Sequence, residues 1–327
     1  MYRAMRSVLV CVGALALAAQ PVAGVSIVQL ETLGGDFGVA SGINDRGQIV
    51  GESAKVAGDG SFGQAVLWDH GRVIDLGSLS SVEGSFAAAI NNRGQIVGGS
   101  YTAEFNMHAF LWEDGTMIDL GTLGGPVSQA LAINARGQVV GAASTSSGDL
   151  HPFLWEDGTM IDLAPDSGFF GVAIDINSRG QVVGNGVTAS GAFLWEDGKV
   201  TELPSPFGQD STATGINDRG QIVGAGRWGP GGEDYHAVMW QDGEVIDLGA
   251  LGGGYSIARA INNRGQVVGY SRRANGQMRA FLWEDGEMTD LGALENRQSH
   301  ALGINVRGQV VGYSNNQRND QAVMWDR

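Results

Sequence analysis

The stretch HAFLWEDGTMIDLGTLGG, from His108 to Gly125, returns as a close copy at regular intervals to the end of the chain. The last copy stops short at AVMWDR, Ala322 to Arg327. A second phrase, IN-x-RG-Q-[IV]-V-G, begins at Ile43, Ile90, Ile133, Ile176, Ile216, Ile261 and Ile304, with spacings of 40 to 47 residues. Seven copies at this period predict an array of repeated units, such as a propeller or a solenoid.

Each repeat contains four short strand candidates. In the second repeat these are Ala87 to Asn91, Gln95 to Ser100, His108 to Trp112 and Thr116 to Leu123. All are rich in apolar residues and are bounded by Gly, Asn or Asp, which is typical of strands. The phrases NNRGQ and WEDGT place glycine where a tight hairpin requires positive φ. Four antiparallel strands in about 43 residues are typical of one propeller blade.

The two ends of the chain complement each other. The seventh repeat ends after its third strand. The segment IVQLETLGG, Ile27 to Gly35, aligns with MIDLGTLGG and therefore corresponds to a fourth strand, but the first three strands of a repeat do not precede it. Pairing these two segments closes a ring and removes exposed sheet edges. A linear β-solenoid would instead need caps at both ends. The sequence therefore predicts an all-β, seven-bladed β-propeller in which the N-terminal strand completes the C-terminal blade.

The phrases HAF, LWEDG, DLGTLGG and INxRGQVVG resemble the extracellular HAF repeat family. The resemblance covers essentially the whole chain after the N-terminal leader. It implies a secreted repeat protein and carries no established activity or binding residues. The tripeptide HAF is intact in only one repeat. The others read QAV, HPF, GAF, HAV, RAF and QAV.

The N-terminus predicts a secretory signal peptide over residues 1–23. Arg3 and Arg6 precede an apolar run that ends in small residues, and cleavage fits after Ala18 or Ala23. Residues 24–327 then form one propeller domain that is periplasmic or extracellular. Cys11, the only cysteine, falls within the signal peptide, so disulfides and thiolate metal sites are not expected in the secreted chain.

The composition argues against two partner classes. Acidic residues outnumber basic ones, 35 against 20. Nucleic acid and anionic membranes are unlikely partners for such a chain, because phosphate contacts need clustered Lys and Arg. We expect a monomer.

Two charged series recur once per repeat and predict a structural role. The hairpin arginines are Arg46, Arg93, Arg136, Arg179, Arg219, Arg264 and Arg307. Acids of the fourth strands are Glu31, Asp75, Asp119, Asp162, Glu202, Asp247 and Asp290. We expect each acid to pair with a nearby hairpin arginine, and the recurring tryptophans to fill the space between blades. Catalysis needs one special site, which a series present in every repeat does not supply.

Binding residues are expected on the variable loops, which alternating strand direction places together on one face. The candidate ligand-binding residues there are Trp228, Tyr235, His236, Arg227, Tyr101, Phe105 and Tyr255. Aromatic side chains surrounded by polar groups suit sugar rings, because the flat apolar faces stack and the polar groups bind hydroxyls. Asp59, Glu233 and Asp234 are weak candidates for Ca²⁺, and no other cofactor is expected.

The expected function is therefore a secreted, non-catalytic binding propeller that recognises an extracellular polysaccharide or an exported protein. No nucleophile elbow, P-loop or dinucleotide motif is present in the sequence. Two alternatives remain open. One is a glycoside hydrolase or lyase with paired acids near the central channel, which would bring carboxylates and a histidine together in one deep pocket. The other is a structural matrix protein.

Overall fold

The computed structural model describes residues 24–56, 63–80, 84–165, 170–186, 191–205, 210–229, 234–315 and 319–326. The predicted signal peptide lies outside these residues. Within them, no helix is long and apolar enough to cross a membrane.

The chain is built from strands joined in fours along the sequence. The first repeats contain β1 (Ser26–Gln29), β2 (Gly38–Ile43), β3 (Ile49–Ser53), β4 (Gln64–Asp69), β5 (Arg72–Asp75), β6 (Ser85–Ile90), β7 (Ile96–Tyr101), β8 (Met107–Glu113), β9 (Thr116–Asp119), β10 (Gly124–Ile133), β11 (Val139–Thr145), β12 (Leu150–Glu156) and β13 (Thr159–Asp162). The later repeats contain β14 (Val172–Ile176), β15 (Val182–Asn185), β16 (Ala192–Glu196), β17 (Lys199–Glu202), β18 (Ser211–Ile216), β19 (Ile222–Trp228), β20 (Asp234–Gln241), β21 (Glu244–Gly249), β22 (Gly252–Ile261), β23 (Val267–Arg273), β24 (Met278–Glu284), β25 (Glu287–Gly292), β26 (Gln298–Ile304), β27 (Val310–Asn315) and β28 (Asp320–Asp326). A short 3-10 turn spans Leu294–Asn296.

These strands form antiparallel four-stranded sheets, as the sequence predicts. β2 to β5, β6 to β9, β10 to β13 and β14 to β17 are each one sheet in chain order. β18 to β25 form an eight-stranded sheet, in which the parallel contact between β20 and β22 consists of a single residue pair, Tyr235 with Tyr255. The last sheet has the order β1-β28-β27-β26. The predicted pairing of the N-terminal strand with the C-terminal strand is therefore confirmed, with Ile27 opposite Trp325.

Both predicted hairpin turns are formed. In WEDGT, Asp114 and Gly115 have φ of 50° and 84°, which is the pair of positive values that a two-residue type I′ turn requires. In NNRGQ, Gly94 has φ of 91°, and its N–H donates to the carbonyl oxygen of Asn91. The Gln95 side chain donates to Glu113 at 2.9 Å, so the two kinds of turn lie side by side on one face, as expected.

The asparagine of IN-x-RG links each repeat to the next. Within its own hairpin, Asn91 Oδ1 accepts the backbone N–H groups of Arg93 and Gln95. Its Nδ2 donates across the repeat boundary to the carbonyl oxygen of Asn134 at 3.0 Å. The same bond joins Asn44, Asn91, Asn134, Asn177, Asn217, Asn262 and Asn305 in order, and Asn305 donates back to Asn44. These hydrogen bonds form a closed ring.

The apolar core lies between consecutive sheets. One cluster combines Val50 and Leu67 of the first repeat with Ile96 and Phe110 of the second, and Trp112 packs against it. Phe110, Phe153, Phe193 and Phe281, the phenylalanines of the HAF-like phrases, are fully buried. Burying such a side chain contributes about 1.5 to 3 kcal/mol. The tryptophan series therefore packs against clusters that join neighbouring repeats.

The expected pairing of hairpin arginines with fourth-strand acids is wrong. Asp75, Asp119 and Asp290 instead contact Lys55, His108 and Arg273. Four hairpin arginines reach the hairpin of the following repeat: Arg93, Arg136, Arg179 and Arg307. The guanidinium of Arg136, for example, lies against Gly180. Among the described residues, none of these arginines forms an ion pair with a fourth-strand acid. The reason is strand geometry, because the acid stands opposite the third strand and away from the hairpin turn.

The assignment of Glu31 to the acid series is also wrong. In β1, Gln29 stands opposite Val323, whereas Asp119 stands opposite Phe110 at the equivalent place in β8 and β9. The residue at the acid position is therefore Gln29, and its amide contacts Gln321 at 2.5 Å. The carbonyl oxygen of Glu31 instead accepts a hydrogen bond from Nε1 of Trp68.

Candidate functional site

A central cavity is lined by the first strands of the repeats. Its volume is about 640 Å³, and its walls include Gly42, Phe86, Leu131, Ile257 and Leu302. A second cavity of about 260 Å³ lies on the other side of the isoleucines of IN-x-RG and is lined by the asparagine ring. Residues of all seven repeats line both cavities, so the two cavities lie on the axis around which the repeats are arranged.

The wall of the larger cavity combines aliphatic residues with Ser41, Asn185, Thr212 and Thr214, and it carries charge at two positions. Asp175 and Arg259 are the charged residues among the described residues that line it. Asp175 precedes the isoleucine of IN-x-RG, a position held by Gly42, Ala89, Ala132, Gly215, Ala260 and Gly303 in the other repeats. The position lies at a β-bulge and packs closely against the next repeat, as the surroundings of Gly42 illustrate. A carboxylate therefore occupies one place in a ring of small residues.

The Asp175 carboxylate joins two repeats. One oxygen accepts the N–H of Ile176 at 2.8 Å, and the other accepts the N–H of Ile216 in the next repeat at 2.8 Å. Burial raises the pKa of Asp175 to about 6, against the lowering effect of these two hydrogen bonds. A carboxyl group with this pKa changes its charge just below neutral pH.

Aromatic rings gather beside the cavity, at the ends of the strands remote from the IN-x-RG turns. The ring of His300 lies between Tyr270 and Tyr313, with centroid distances of 4.4 and 4.8 Å, and it is nearly parallel to Tyr313 at 6°. Burial, together with the charge of Arg259, lowers the pKa of His300 to about 4. The imidazole is therefore neutral at physiological pH and presents its ring as an aromatic surface.

A second pair of rings extends this cluster outward. Tyr235 stacks on Tyr255 at 5.9 Å, and the guanidinium of Arg272 lies 5.2 Å from the Tyr255 ring centroid. Burial and the neighbouring Tyr270 raise the pKa of Tyr255, which places Tyr270 beside this pair. We define the aromatic strip as Tyr235, Tyr255, Tyr270, His300 and Tyr313. It crosses the fifth, sixth and seventh repeats.

The predicted ligand-binding residues divide between the strip and its surroundings. Tyr235 and Tyr255 belong to the strip. Trp228 and His236 stack on each other beside it, with a centroid distance of 6.3 Å. Trp228 also packs against the core cluster that contains Val238 and Trp240. His236 contacts Asp247 at 2.9 Å, so both residues have structural partners.

The remaining predicted residues lie away from the strip or at its border. Tyr101 is the last residue of β7, and Phe105 lies in the connection to β8 in the second repeat, where it has φ of 61° and is 71% exposed. Arg227 is exposed on β19. The structure therefore does not bring Tyr101 and Phe105 together with the other candidates.

Of the three Ca²⁺ candidates, Asp234 is the one that lies among the described residues. Asp59 and Glu233 lie outside the described residues. Asp234 lies at the start of β20, opposite Trp228 and close to Gly254. Among the described residues, no group of three potential metal ligands occurs.

The histidine of the HAF-like phrases has a structural partner. His108, His151 and His236 contact Asp119, Asp162 and Asp247 at 2.8 to 2.9 Å. The same aspartates accept a backbone N–H two residues further on, as Asp119 does from Gly121 at 2.8 Å. Each pair ties the third strand to the bend that follows the fourth, which explains why these repeats combine a histidine with the phrase DLG or DLA.

Sequence reasoning missed Asp175, Tyr270 and Tyr313 as site residues. The signals were present as breaks in the repeat pattern. Tyr270 and Tyr313 follow VVG at a position that holds Glu52, Gly99, Ala142, Asn185 and Ala225 elsewhere. Asp175 replaces glycine or alanine. A search within each repeat position, rather than within the loops, would have found them.

Comparison with known proteins identifies the fold. No family model matches the chain, and no curated protein matches it. The β-propeller domain of the Trilobed protease from Pyrococcus furiosus is similar, with a TM-score of 0.57 and 14% identity over 89% of this chain and 96% of that one. YCF48 bound to a D1 peptide has a TM-score of 0.53 and 13% identity, covering 94% and 96% of the two chains.

A third solved structure, the Pyrococcus horikoshii acylaminoacyl peptidase, has a TM-score of 0.53 and 13% identity over 89% of this chain. The match covers 51% of that peptidase, so the chain spans about half of its length. Likenesses at such identities show the fold alone. The chain is an all-β protein with the β-propeller fold.

Proposed function

We propose that this protein is a secreted seven-bladed β-propeller that binds an extracellular polysaccharide through the aromatic strip. The blade number is supported by the ring of seven asparagine hydrogen bonds, in which Asn305 returns to Asn44. It is also supported by the single residue pair between β20 and β22, because two blades that touch at one point account for the eight-stranded sheet. The N-terminal strand closes the seventh blade.

One observation carries the binding role. Five aromatic rings follow one another across three repeats. At the position of Tyr270 and Tyr313, the other repeats hold no aromatic residue. Aromatic faces bind the apolar faces of sugar rings, and neighbouring polar groups bind hydroxyls. The strip is longer than one sugar ring, so an extended glycan chain suits it better than a monosaccharide.

The site geometry favours binding over cleavage. Glycoside hydrolysis commonly requires two carboxylates on either side of the scissile bond. Among the described residues that line the central cavity, Asp175 is the one carboxylate on the side of the strip, and both of its oxygens already accept backbone hydrogen bonds. The hydrolase or lyase alternative would need a second acid from elsewhere.

The secreted location rests on the signal-like N-terminus and on the HAF-type phrases. Both remain predictions from the sequence. A polysaccharide on the cell surface or in the matrix is the ligand class that agrees with this location. An exported protein partner is the alternative that the following experiment separates.

The test is binding of purified residues 24–327 to a broad polysaccharide panel, with and without Ca²⁺, while soluble products are monitored. We expect saturable binding without product release. In Tyr255→Ala and Tyr270→Ala, affinity for the bound polysaccharide should fall about tenfold or more, which corresponds to about 1.4 kcal/mol or more.

Phe105→Ala is the matched control, because it removes an exposed aromatic ring in the second repeat, away from the strip. Its affinity should equal that of the wild type. Release of oligosaccharides would favour the enzyme alternative. An absence of binding to any polysaccharide would contradict the proposal and favour a protein partner or a structural role.

A further inference from the structure

Two exposed arginines border the aromatic strip, and neither has a carboxylate partner among the described residues. Arg272 lies over Tyr255, and Arg259 lines the cavity beside His300 and Tyr313. Within the part of the chain that the structure describes, neither guanidinium forms an ion pair. This is unusual in a chain with a formal net charge of −15, where acids are the more abundant partners.

The neighbouring arginines differ from these two. Arg273 pairs with Asp290, and Arg297 pairs with Glu295 at 2.5 Å. Arg279 is buried, and its guanidinium donates to the carbonyl oxygen of Arg297. The sixth and seventh repeats therefore contain several arginines with intramolecular partners, whereas Arg259 and Arg272 are exposed beside the strip.

Two carboxylates lie at the ends of the strip. Asp234 is beside His236, whose pKa it helps to raise. Asp320 is near Tyr313, and a hydrogen bond from Asn315 partly offsets the burial that raises the pKa of Asp320. His300, between the two tyrosines, carries no charge at neutral pH because its pKa is about 4. The fixed charges beside the middle of the strip are therefore the two guanidinium groups.

Resting on the proposed function, we infer that the strip recognises an anionic polysaccharide with carboxylate-bearing sugar units. The aromatic rings stack on the sugar faces, and the guanidinium groups bind the carboxylates. Guanidinium donors match a carboxylate in bidentate geometry, and a charge-assisted hydrogen bond is stronger than a neutral one. The positive middle of the strip, on an otherwise acidic protein, also orients such a chain toward this part of the face.

The test compares two probes with the same backbone and different charge. These are polygalacturonate and its methyl ester, in which the carboxylates are neutral. We expect the wild type to bind polygalacturonate at least about tenfold more tightly than the ester. Raising the salt from roughly 0.01 M to roughly 1 M, where the screening length falls from about 30 Å to about 3 Å, should reduce this preference.

The variants assign the preference to particular residues. Arg259→Gln and Arg272→Gln should each weaken binding to polygalacturonate about tenfold and leave binding to the ester unchanged. Arg272→Lys should recover part of the loss, because it keeps the charge and loses the bidentate fork. Arg93→Gln, on the hairpin face, is the control and should change neither affinity. Circular dichroism and urea unfolding establish that each variant is folded.

The outcomes separate the two proposals. Equal affinity for both probes, unchanged in Arg259→Gln and Arg272→Gln, would overturn the anionic specificity and leave glycan binding in place. Binding of polygalacturonate that falls equally in Arg93→Gln would also overturn it, because any positive charge would then suffice. If neither probe binds and the wider panel also fails, the proposed function itself is contradicted.

Discussion

The side-chain amide of Asn305 donates a hydrogen bond to the carbonyl oxygen of Asn44 at 3.1 Å, across 261 positions of sequence. This bond is one of seven equivalent bonds, and it joins the last repeat to the first. A second contact across the same boundary pairs β1 with β28. The ends of the chain are therefore joined twice, once beside the central axis and once at the outer edge of the sheet.

The asparagine ring should contribute strongly to stability. In Asn91→Ala, the buried side chain loses its bonds to the Arg93 and Gln95 amides and to the Asn134 carbonyl oxygen. We expect the free energy of unfolding to fall by about 2 to 4 kcal/mol, since each buried hydrogen bond contributes about 1 kcal/mol and unsatisfied groups add to the cost. Urea unfolding measures this. Asn92→Ala, at the exposed neighbouring position, should cost less than about 1 kcal/mol; equal costs would contradict the role of the ring.

The N-terminal strand should act as a closing element. A variant that begins at Leu30 lacks β1 and loses Val25 and Ile27, which pack against the cluster of the last repeats. We expect a loss of about 2 to 4 kcal/mol from apolar burial and self-association through the exposed edge of β28. Unfolding and size-exclusion chromatography measure these effects. Val28→Thr, at a side chain that is 43% exposed, is the control, and a shortened chain as stable and monomeric as this variant would refute the closing role.

The contact between His236 and Asp247 should make stability depend on pH. The hydrogen bond with Asp247 raises the pKa of His236 above its ordinary value of 6.5. The contribution of the His236–Asp247 contact to the free energy of unfolding is therefore fully present below about pH 6.5 and is lost as pH rises through the folded-state pKa. The stability difference between wild type and His236→Gln should shrink from about pH 6 to about pH 9.

The uncharged pair Gln29–Gln321 occupies the same structural position and supplies the control. The cost of Gln321→Ala should not change with pH in this range. NMR titration of the His236 imidazole gives the pKa directly. A value at or below 6.5 would show that the aspartate does not stabilise the charged form.

Asp175→Ala should change stability in a pH-dependent way. The folded-state pKa of about 6 lies above the ordinary value of 3.8. The stability that the protonated Asp175 contributes is therefore present below about pH 3.8 and is lost as pH rises through 6. Between about pH 4 and pH 7, the free energy of unfolding of the variant should rise relative to that of the wild type, by at most about 3 kcal/mol. Urea unfolding at both pH values measures the gain. The reciprocal variant Ala132→Asp should be less stable than the wild type at neutral pH. A stability gain in Asp175→Ala that does not depend on pH would contradict burial of the carboxylate as its cause.

The repeat phrases predict the architecture because each recurs for a local physical reason. The glycines in NxRG and WEDG adopt positive φ, so the hairpins could be assigned directly from Gly94 and Gly115. The incomplete last repeat predicted the pairing of β1 with β28. Polar partners were harder to predict, because cross-strand register decides them. A shift of two residues led to Glu31 instead of Gln29. The acids contact Lys55, Arg273 or the histidines of the HAF-like phrases and not the hairpin arginines, because the register places them away from the hairpin turns.

The candidate site was only partly predictable. Tyr235 and Tyr255 were recognised because they fall in segments whose sequence varies between repeats, which the structure places in β20 and β22. Tyr270 and Tyr313 were not, because they lie in the regular part of each repeat, where the pattern indicates framework residues. Their proximity arises from the packing of the sixth repeat against the seventh, which a single sequence does not contain. Phe105 met the same loop criterion as Tyr235, but its place in the ring separates it from the strip.

The measurement that tests the central claim most directly is the ratio of polysaccharide affinities between the wild type and the double variant Tyr270→Ala/Tyr313→Ala. Isothermal titration with the polysaccharide identified by the panel gives this ratio, and Phe105→Ala serves as the reference. Binding through the strip predicts a loss of about a hundredfold, which corresponds to roughly 3 kcal/mol, with unchanged affinity in Phe105→Ala. A folded double variant that binds as tightly as the wild type would contradict the account.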